Sequence, residues 1–143
     1  MFLSETIIDF FMKGQKNQAS DKNKYILAVD DDPDIAGLAE QALGRRGFKV
    51  SAFTDPIMAL EHFKANHKDY RLILSDIRMP GMNGYEFVTH IKKINPKVKV
   101  ILMSAFDIEE KEFHNVLPDI KVDAFLQKPF PLETLTNVID EKL

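Results

Sequence analysis

Cysteine is absent from this chain of 143 residues, so neither disulfides nor thiolate metal ligands can hold it together and nothing calls for an oxidising compartment. A cytoplasmic setting is the expectation. Glycine and proline are sparse, at six and seven residues, which excludes collagen-like and low-complexity chains. Positive charge is not in excess: 19 Lys and Arg stand against 22 Asp and Glu, a formal net charge of -3, and no basic run is present to neutralise a phosphate backbone. Long hydrophobic runs are missing too. The apolar residues near the start, Phe2, Leu3, Ile7, Ile8, Phe10, Phe11 and Met12, are interrupted by Glu5 and Asp9 and lack a preceding positive region. They read as neither signal peptide nor transmembrane helix. Nucleic acid and membrane are therefore not expected as partners.

What is present suits one globular domain: 45% of residues are hydrophobic and 29% charged, in a chain of ordinary single-domain length. The stretch from Lys13 to Lys24 is polar, with Gly14, Gln15, Asn17, Gln18, Ser20 and Asn23, and reads as a linker. Residues 1–23 are thus expected to be an apolar segment plus linker, and residues 24–143 the domain. Leu3, Ile7, Phe10 and Phe11 fall on one helical stripe with Ile8 beside it, a face suited to packing on the chain's own domain or on a second copy in a homodimer.

From Tyr25 onward, short apolar runs alternate with helix-period segments, the pattern of strand-helix units building a parallel sheet. Tyr25 to Val29, Leu72 to Leu74 and Val100 to Met103 are apolar throughout and belong in the middle, covered on both faces. Phe48 to Ala52 alternates, and Val122 to Leu126 is interrupted by Asp123, so these two read as edges. Five helices are expected. The first starts at Pro33, with Ile35, Leu38, Ala39, Ala42 and Leu43 on one stripe and Gly47 beyond its end. The second opens at Asp55-Pro56 and carries Ile57, Leu60 and Phe63; the third carries Phe87, Val88, Ile91 and Ile94. A fourth over Ile108 to Leu117 is weakly patterned and is ended by Pro118; the last carries Leu132, Leu135, Val138 and Ile139.

In a parallel sheet with right-handed crossovers, all strands end on one edge, so residues at strand ends gather in one crevice. Read in order, these are Asp30-Asp31-Asp32, Asp76, Ser104 and Lys128-Pro129. Asp30, Asp31 and Asp76 brought together repel one another unless a cation shares the site. With no Cys and no convergent His, oxygen-only ligands favour Mg²⁺. A carboxylate there can act as nucleophile toward a phosphoryl group, with the metal and Lys128 as the neutralising charges. Asp32, before Pro33, reads as a helix N-cap rather than a ligand. His62, His67, His90 and His114 fall on expected helices with no shared acidic partner and read as structural.

Four motifs, VDDD (Val29 to Asp32), SDIRMPGMNGYEF (Ser75 to Phe87), ILMSA (Ile101 to Ala105) and KPF (Lys128 to Phe130), resemble the response-regulator receiver family over roughly Lys24 to Leu143. The resemblance implies an α/β fold, a doubly wound five-stranded parallel sheet of flavodoxin-like order 2-1-3-4-5, for which the edge-strand argument gives partial independent support. It also implies that Asp76 accepts a phosphoryl group from a histidine kinase or phosphotransfer protein. Asp30 and Asp31 match the acidic pair that holds Mg²⁺, and the main-chain carbonyl of Arg78 a further ligand. Ser104 matches the hydroxyl that bonds the phosphoryl oxygen, Phe125 the aromatic that changes rotamer with it, and Lys128-Pro129 a cis peptide. Arg78, Ala105 and Phe106 match positions that in the family border the path of attacking water. Output is expected through protein contacts on the face of the fourth helix, fifth strand and fifth helix.

The resemblance thus implies a signalling phosphoacceptor rather than an enzyme. The rivals are a receiver-like binding module that is never phosphorylated, a flavin-binding module and a Mg²⁺-dependent phosphohydrolase with an aspartate nucleophile. Flavin phosphate would be repelled by Asp30 and Asp31 without a metal. The hydrolase reading needs an acid two residues after the nucleophile, where this chain has Arg78.

Overall fold

The computed structural model describes residues 25–105, 115 and 117–143. Five parallel strands, β1 (Tyr25–Val29), β2 (Lys49–Phe53), β3 (Leu72–Asp76), β4 (Lys99–Ser104) and β5 (Ala124–Gln127), form one sheet of order β2-β1-β3-β4-β5. The all-apolar strands are central and the interrupted ones are the edges, as their patterning predicts. Four α-helices lie among the described residues: α1 (Pro33–Arg45), α2 (Pro56–Asn66), α3 (Gly84–Ile94) and α4 (Leu132–Lys142), with a 3₁₀ turn at His67–Asp69. The helix expected over Ile108 to Leu117 lies outside the described residues except at Asn115 and Leu117.

Each of the first three helices starts where a side chain satisfies an orphan backbone N–H. Asp32 accepts from the Asp34 N–H at 2.9 Å, Asp55 from Ile57 at 2.9 Å and Asn83 from Glu86 at 2.9 Å. Pro33 and Pro56 then occupy first-turn positions, where the missing N–H costs nothing. Gly47 follows α1 at φ 91°, a left-handed conformation that glycine adopts without strain.

The helices cover both faces. Ile26, Ala28, Leu72, Leu74, Ile101 and Met103 pack on one side with Ala39 and Leu43 of α1 and Leu135 and Ile139 of α4. Leu27, Val29, Ile73, Val100 and Leu102 pack on the other with Leu60 and Phe63 of α2 and Phe87, Val88 and Ile91 of α3. This alternation follows from the two-residue period of a strand.

Three expected core residues are exposed. Leu38 is 46% exposed, Ile57 49% and Leu132 40%. In α1 the buried residues are Ala36, Ala39 and Leu43, a narrower stripe on which two alanines bring the helix close to the sheet. Leu38 lies about 200° around from Ala36 and so clears the sheet. In α2, Pro56, Ala59, Leu60 and Phe63 take the inner face, and in α4 Leu135, Thr136 and Ile139 do. In each helix a small or polar residue takes the place that apolarity alone would assign to a leucine or isoleucine.

Candidate functional site

Strand register builds the site. Val29 pairs with Ser75, so Asp30 and Asp76, each one residue further on, emerge side by side. Asp76 pairs with Met103, and Ser104 follows it. Ser104 pairs with Gln127, and Lys128 follows that. Residues far apart in sequence thus occupy neighbouring register steps along one sheet edge.

Among the described residues, Asp30, Asp31 and Asp76 each offer a carboxylate oxygen within 4.8 Å of the others, with Asp30 and Asp76 buried and Asp31 exposed. Lys128 donates to Asp30 Oδ2 at 2.6 Å and sits 3.5 Å from Asp76 Oδ1. Asp30 Oδ1 accepts from the Asp32 N–H at 3.0 Å, and Asp76 Oδ1 from the Ile77 N–H at 3.0 Å. Asp32 faces its own helix as a cap and is not one of the three clustered carboxylates.

Burial and the charge of Asp30 hold the Asp76 carboxyl above the usual carboxylate range, against the opposing pull of Lys128 and the Ile77 N–H. Burial disfavours the charge on Lys128, but its hydrogen bond to Asp30 and the charges of Asp30 and Asp76 together outweigh that and raise its pKa. Three carboxylates facing one ammonium leave an excess of negative charge. Their all-oxygen donor set and partial exposure through Asp31 fit a hard divalent cation such as Mg²⁺.

The other expected residues surround this cluster. Ser104 is buried at the end of β4, and its carbonyl accepts from the Lys128 N–H at 2.7 Å. Phe125 is half-buried on β5, level with Leu102 and packed against the core on the α2–α3 side. Leu102 and Ser104 share that side by strand alternation, so the hydroxyl and the ring flank the same face. Arg78 is exposed on the loop leaving β3, and the Lys128–Pro129 peptide is cis. Ala105 is exposed at the end of β4, while Phe106 falls outside the described residues, as does His114. His62 is structural: its Nε2 lies 2.6 Å from the Tyr70 hydroxyl.

Two positioning residues lie within the motif Ser75 to Phe87, which gave them no role of their own. A Cβ on Gly84 would lie 2.4 Å from the Asp76 carbonyl oxygen and 2.8 Å from Ile77 Cα, so only glycine lets α3 begin against the loop that carries Asp76. Its N–H donates to the Ile77 carbonyl at 2.6 Å. The Ser75 hydroxyl donates to the Asp76 carbonyl at 2.8 Å. The sequence signal for Gly84 was its place directly after the N-cap Asn83, where a glycine has no capping duty of its own.

A doubly wound sheet with three acidic residues and one lysine at its carboxyl edge defines a class, and comparison with known proteins agrees. The family model for the response regulator receiver domain matches residues 26–140. The chain belongs to this family, the phosphoacceptor module of two-component signalling. It is 32% identical to the response regulator receiver protein CpdR of Brucella abortus, covering 84% of this chain and 97% of that one. It is also 32% identical to the autoinducer 1 sensor kinase/phosphatase LuxN of Vibrio campbellii, of whose length it spans 14%. Among solved structures, the chemotaxis protein CheY4 of Vibrio cholerae superposes with a TM-score of 0.73 at 26% identity, covering 83% of this chain and 98% of that one. The response regulator TrrA of Thermotoga maritima, solved in complex with Mg²⁺-BeF, gives 0.72 at 29% identity, covering 84% and 99%. No helix among the described residues is long and apolar enough to cross a membrane.

Proposed function

We propose that Asp76 accepts the phosphoryl group in this chain, with Mg²⁺ held by Asp30, Asp31 and Asp76 and the main-chain carbonyl of Arg78. The observation that carries this reading is the convergence of three carboxylates within 4.8 Å of one another, two of which, Asp30 and Asp76, meet the ammonium of Lys128. The Mg²⁺-BeF complex of the Thermotoga maritima relative supports the same ion here. Bound Mg²⁺ would supply charge neutralisation for the phosphoryl oxygens.

The donor is a histidine kinase or phosphotransfer protein. An Asp76 carboxylate oxygen forms a bond to phosphorus as the phosphorus–nitrogen bond of the donor histidine breaks, and the imidazole nitrogen keeps the electron pair. Lys128, already poised between Asp30 and Asp76, shifts its hydrogen bonds to the incoming oxygens. Ser104 then donates to a phosphoryl oxygen, and Phe125 repacks beside it. Output passes through the face formed by β5, α4 and the segment expected to be the fourth helix, to a downstream protein or a second copy of the chain. In this reading residues 24–143 are the domain, residues 1–23 a separate segment, the setting is cytoplasmic, and no separate substrate is turned over.

The test is intact mass after incubation with acetyl phosphate and Mg²⁺. The expected result is a gain of one phosphoryl group that EDTA abolishes and that Asp76→Asn lacks. No gain in a folded protein that binds Mg²⁺ would leave a receiver that works by binding alone.

A further inference from the structure

On the sheet face opposite α2 and α3, a groove of about 280 Å³ opens between α1 and α4. Ile35, Leu38, Leu132 and Leu135 form its walls and Leu74 and Met103 its floor, with Lys128 at the end nearest the acidic cluster. It falls just below the size of a site for a drug-sized ligand and is almost wholly apolar, which suits inserted side chains better than a cofactor. Its rim holds two of the large apolar side chains that the fold leaves in water, Leu38 at 46% and Leu132 at 40% exposure. A concave apolar site with an apolar rim marks a surface built to be covered.

We propose that the cover is the chain's own opening segment, with side chains from the stripe Leu3, Ile7, Phe10 and Phe11 entering this groove. The stripe is the apolar counterpart the groove lacks, and residues 1–24, which precede β1, are long enough to bring it there. Lys13 to Lys24 is twelve residues, mostly polar, and twelve residues of chain can reach at most about 40 Å. It joins β1 at Tyr25, and the groove floor at Leu74 is level with Ala28, about 10 Å further along the sheet. A tether of this length holds the segment at roughly millimolar effective concentration beside the groove, which an untethered partner would have to exceed. The proposal is independent of the phosphoryl chemistry at Asp76.

The absence of cysteine allows a clean test on the full chain. A nitroxide on Ser4→Cys is expected to erase most of the amide intensity of residues 35–39, Phe130 and residues 132–135 in the ¹⁵N-labelled protein, and to leave the Ile57–Met58 surface untouched. The effect should survive dilution and be missing when spin-labelled chain without ¹⁵N is mixed with ¹⁵N chain without the label. Phe10→Ser with Phe11→Ser should remove it while the remaining amide spectrum stays unchanged. Broadening that persists in the mixed sample would assign the groove to a second copy, broadening only with anionic lipid vesicles would assign the segment to a membrane surface, and broadening elsewhere or nowhere would equally overturn the proposal.

Discussion

Lys128 donates to Asp30 at 2.6 Å across 98 residues of sequence, yet it stays 3.5 Å from Asp76, so one ammonium is shared unequally between two buried carboxylates. Replacing it with Met leaves Asp30 and Asp76 side by side, 2% and 7% exposed, with no cation between them. Without divalent ions, Lys128→Met should lose about 1 to 3 kcal/mol at neutral pH. Mg²⁺ should then stabilise the variant more than the parent, because a competing positive charge has gone, while phosphoryl uptake slows. Urea denaturation with and without MgCl₂ reads both effects; an equal response to Mg²⁺ in the two proteins would contradict the shared-cation picture.

Asp76→Asn should have the opposite effect on stability. Burial and Asp30 raise the pKa of Asp76, and a group raised in the folded state contributes stability that is complete below its unfolded value, about 3.9. That contribution is lost as pH rises through the higher folded value. Without metal, the parent should therefore lose stability as pH rises above about 4 that the Asn variant keeps. At neutral pH the variant should melt higher by roughly 2 to 6 °C. A difference in Tm between the two proteins that does not widen with pH would show that Asp76 does not titrate as its surroundings imply.

These consequences show where the sequence was legible and where it was not. The strand order could be read because all-apolar runs such as Leu72 to Leu74 can only be central, and the site could be read because parallel strands must deliver Asp30, Asp76, Ser104 and Lys128 to one edge. Helix rotation could not. Leu38, Ile57 and Leu132 fit an apolar stripe as well as their neighbours do, and only the height of each helix above the sheet decides which residue turns outward. That height depends on small residues such as Ala36, Ala39 and Ala59, which carry little hydrophobic signal. Gly84 escaped for the same reason: its role lies in the atoms it lacks.

Away from the site, a polar chain ties α2 to β2. His62 Nε2 lies 2.6 Å from the Tyr70 hydroxyl, which donates to Ser51 Oγ at 2.6 Å. Tyr70→Phe keeps the ring packing and strands both partners, so a loss of about 1 to 2 kcal/mol is expected. Burial raises the pKa of Tyr70 despite the opposing effect of its hydrogen bond to Ser51, so its contribution is present below about pH 10 and lost above it. The Phe variant should show a shallower loss of stability on the alkaline side. Chemical denaturation at several pH values between neutral and alkaline is the check, and parallel curves for the two proteins would place the alkaline loss elsewhere.

Gly84→Ala tests whether the start of α3 holds Asp76 in place. The added methyl would meet the Asp76 carbonyl oxygen and Ile77 Cα, both backbone atoms that cannot swing aside as a flexible side chain could. Helix and loop must separate, at a cost of about 1 to 3 kcal/mol. Because the displaced atoms belong to Asp76 and its successor, phosphoryl uptake from acetyl phosphate should also fall, by more than the small unfolded fraction explains. Gly37→Ala is the matched control: it lies inside α1 with nothing within 4 Å of the new Cβ, so it should be neutral or stabilise by roughly 0.5 to 1 kcal/mol through helix propensity. If both substitutions behave alike in denaturation and in uptake, the contact between Gly84 and the Asp76 backbone has no part in positioning the acceptor.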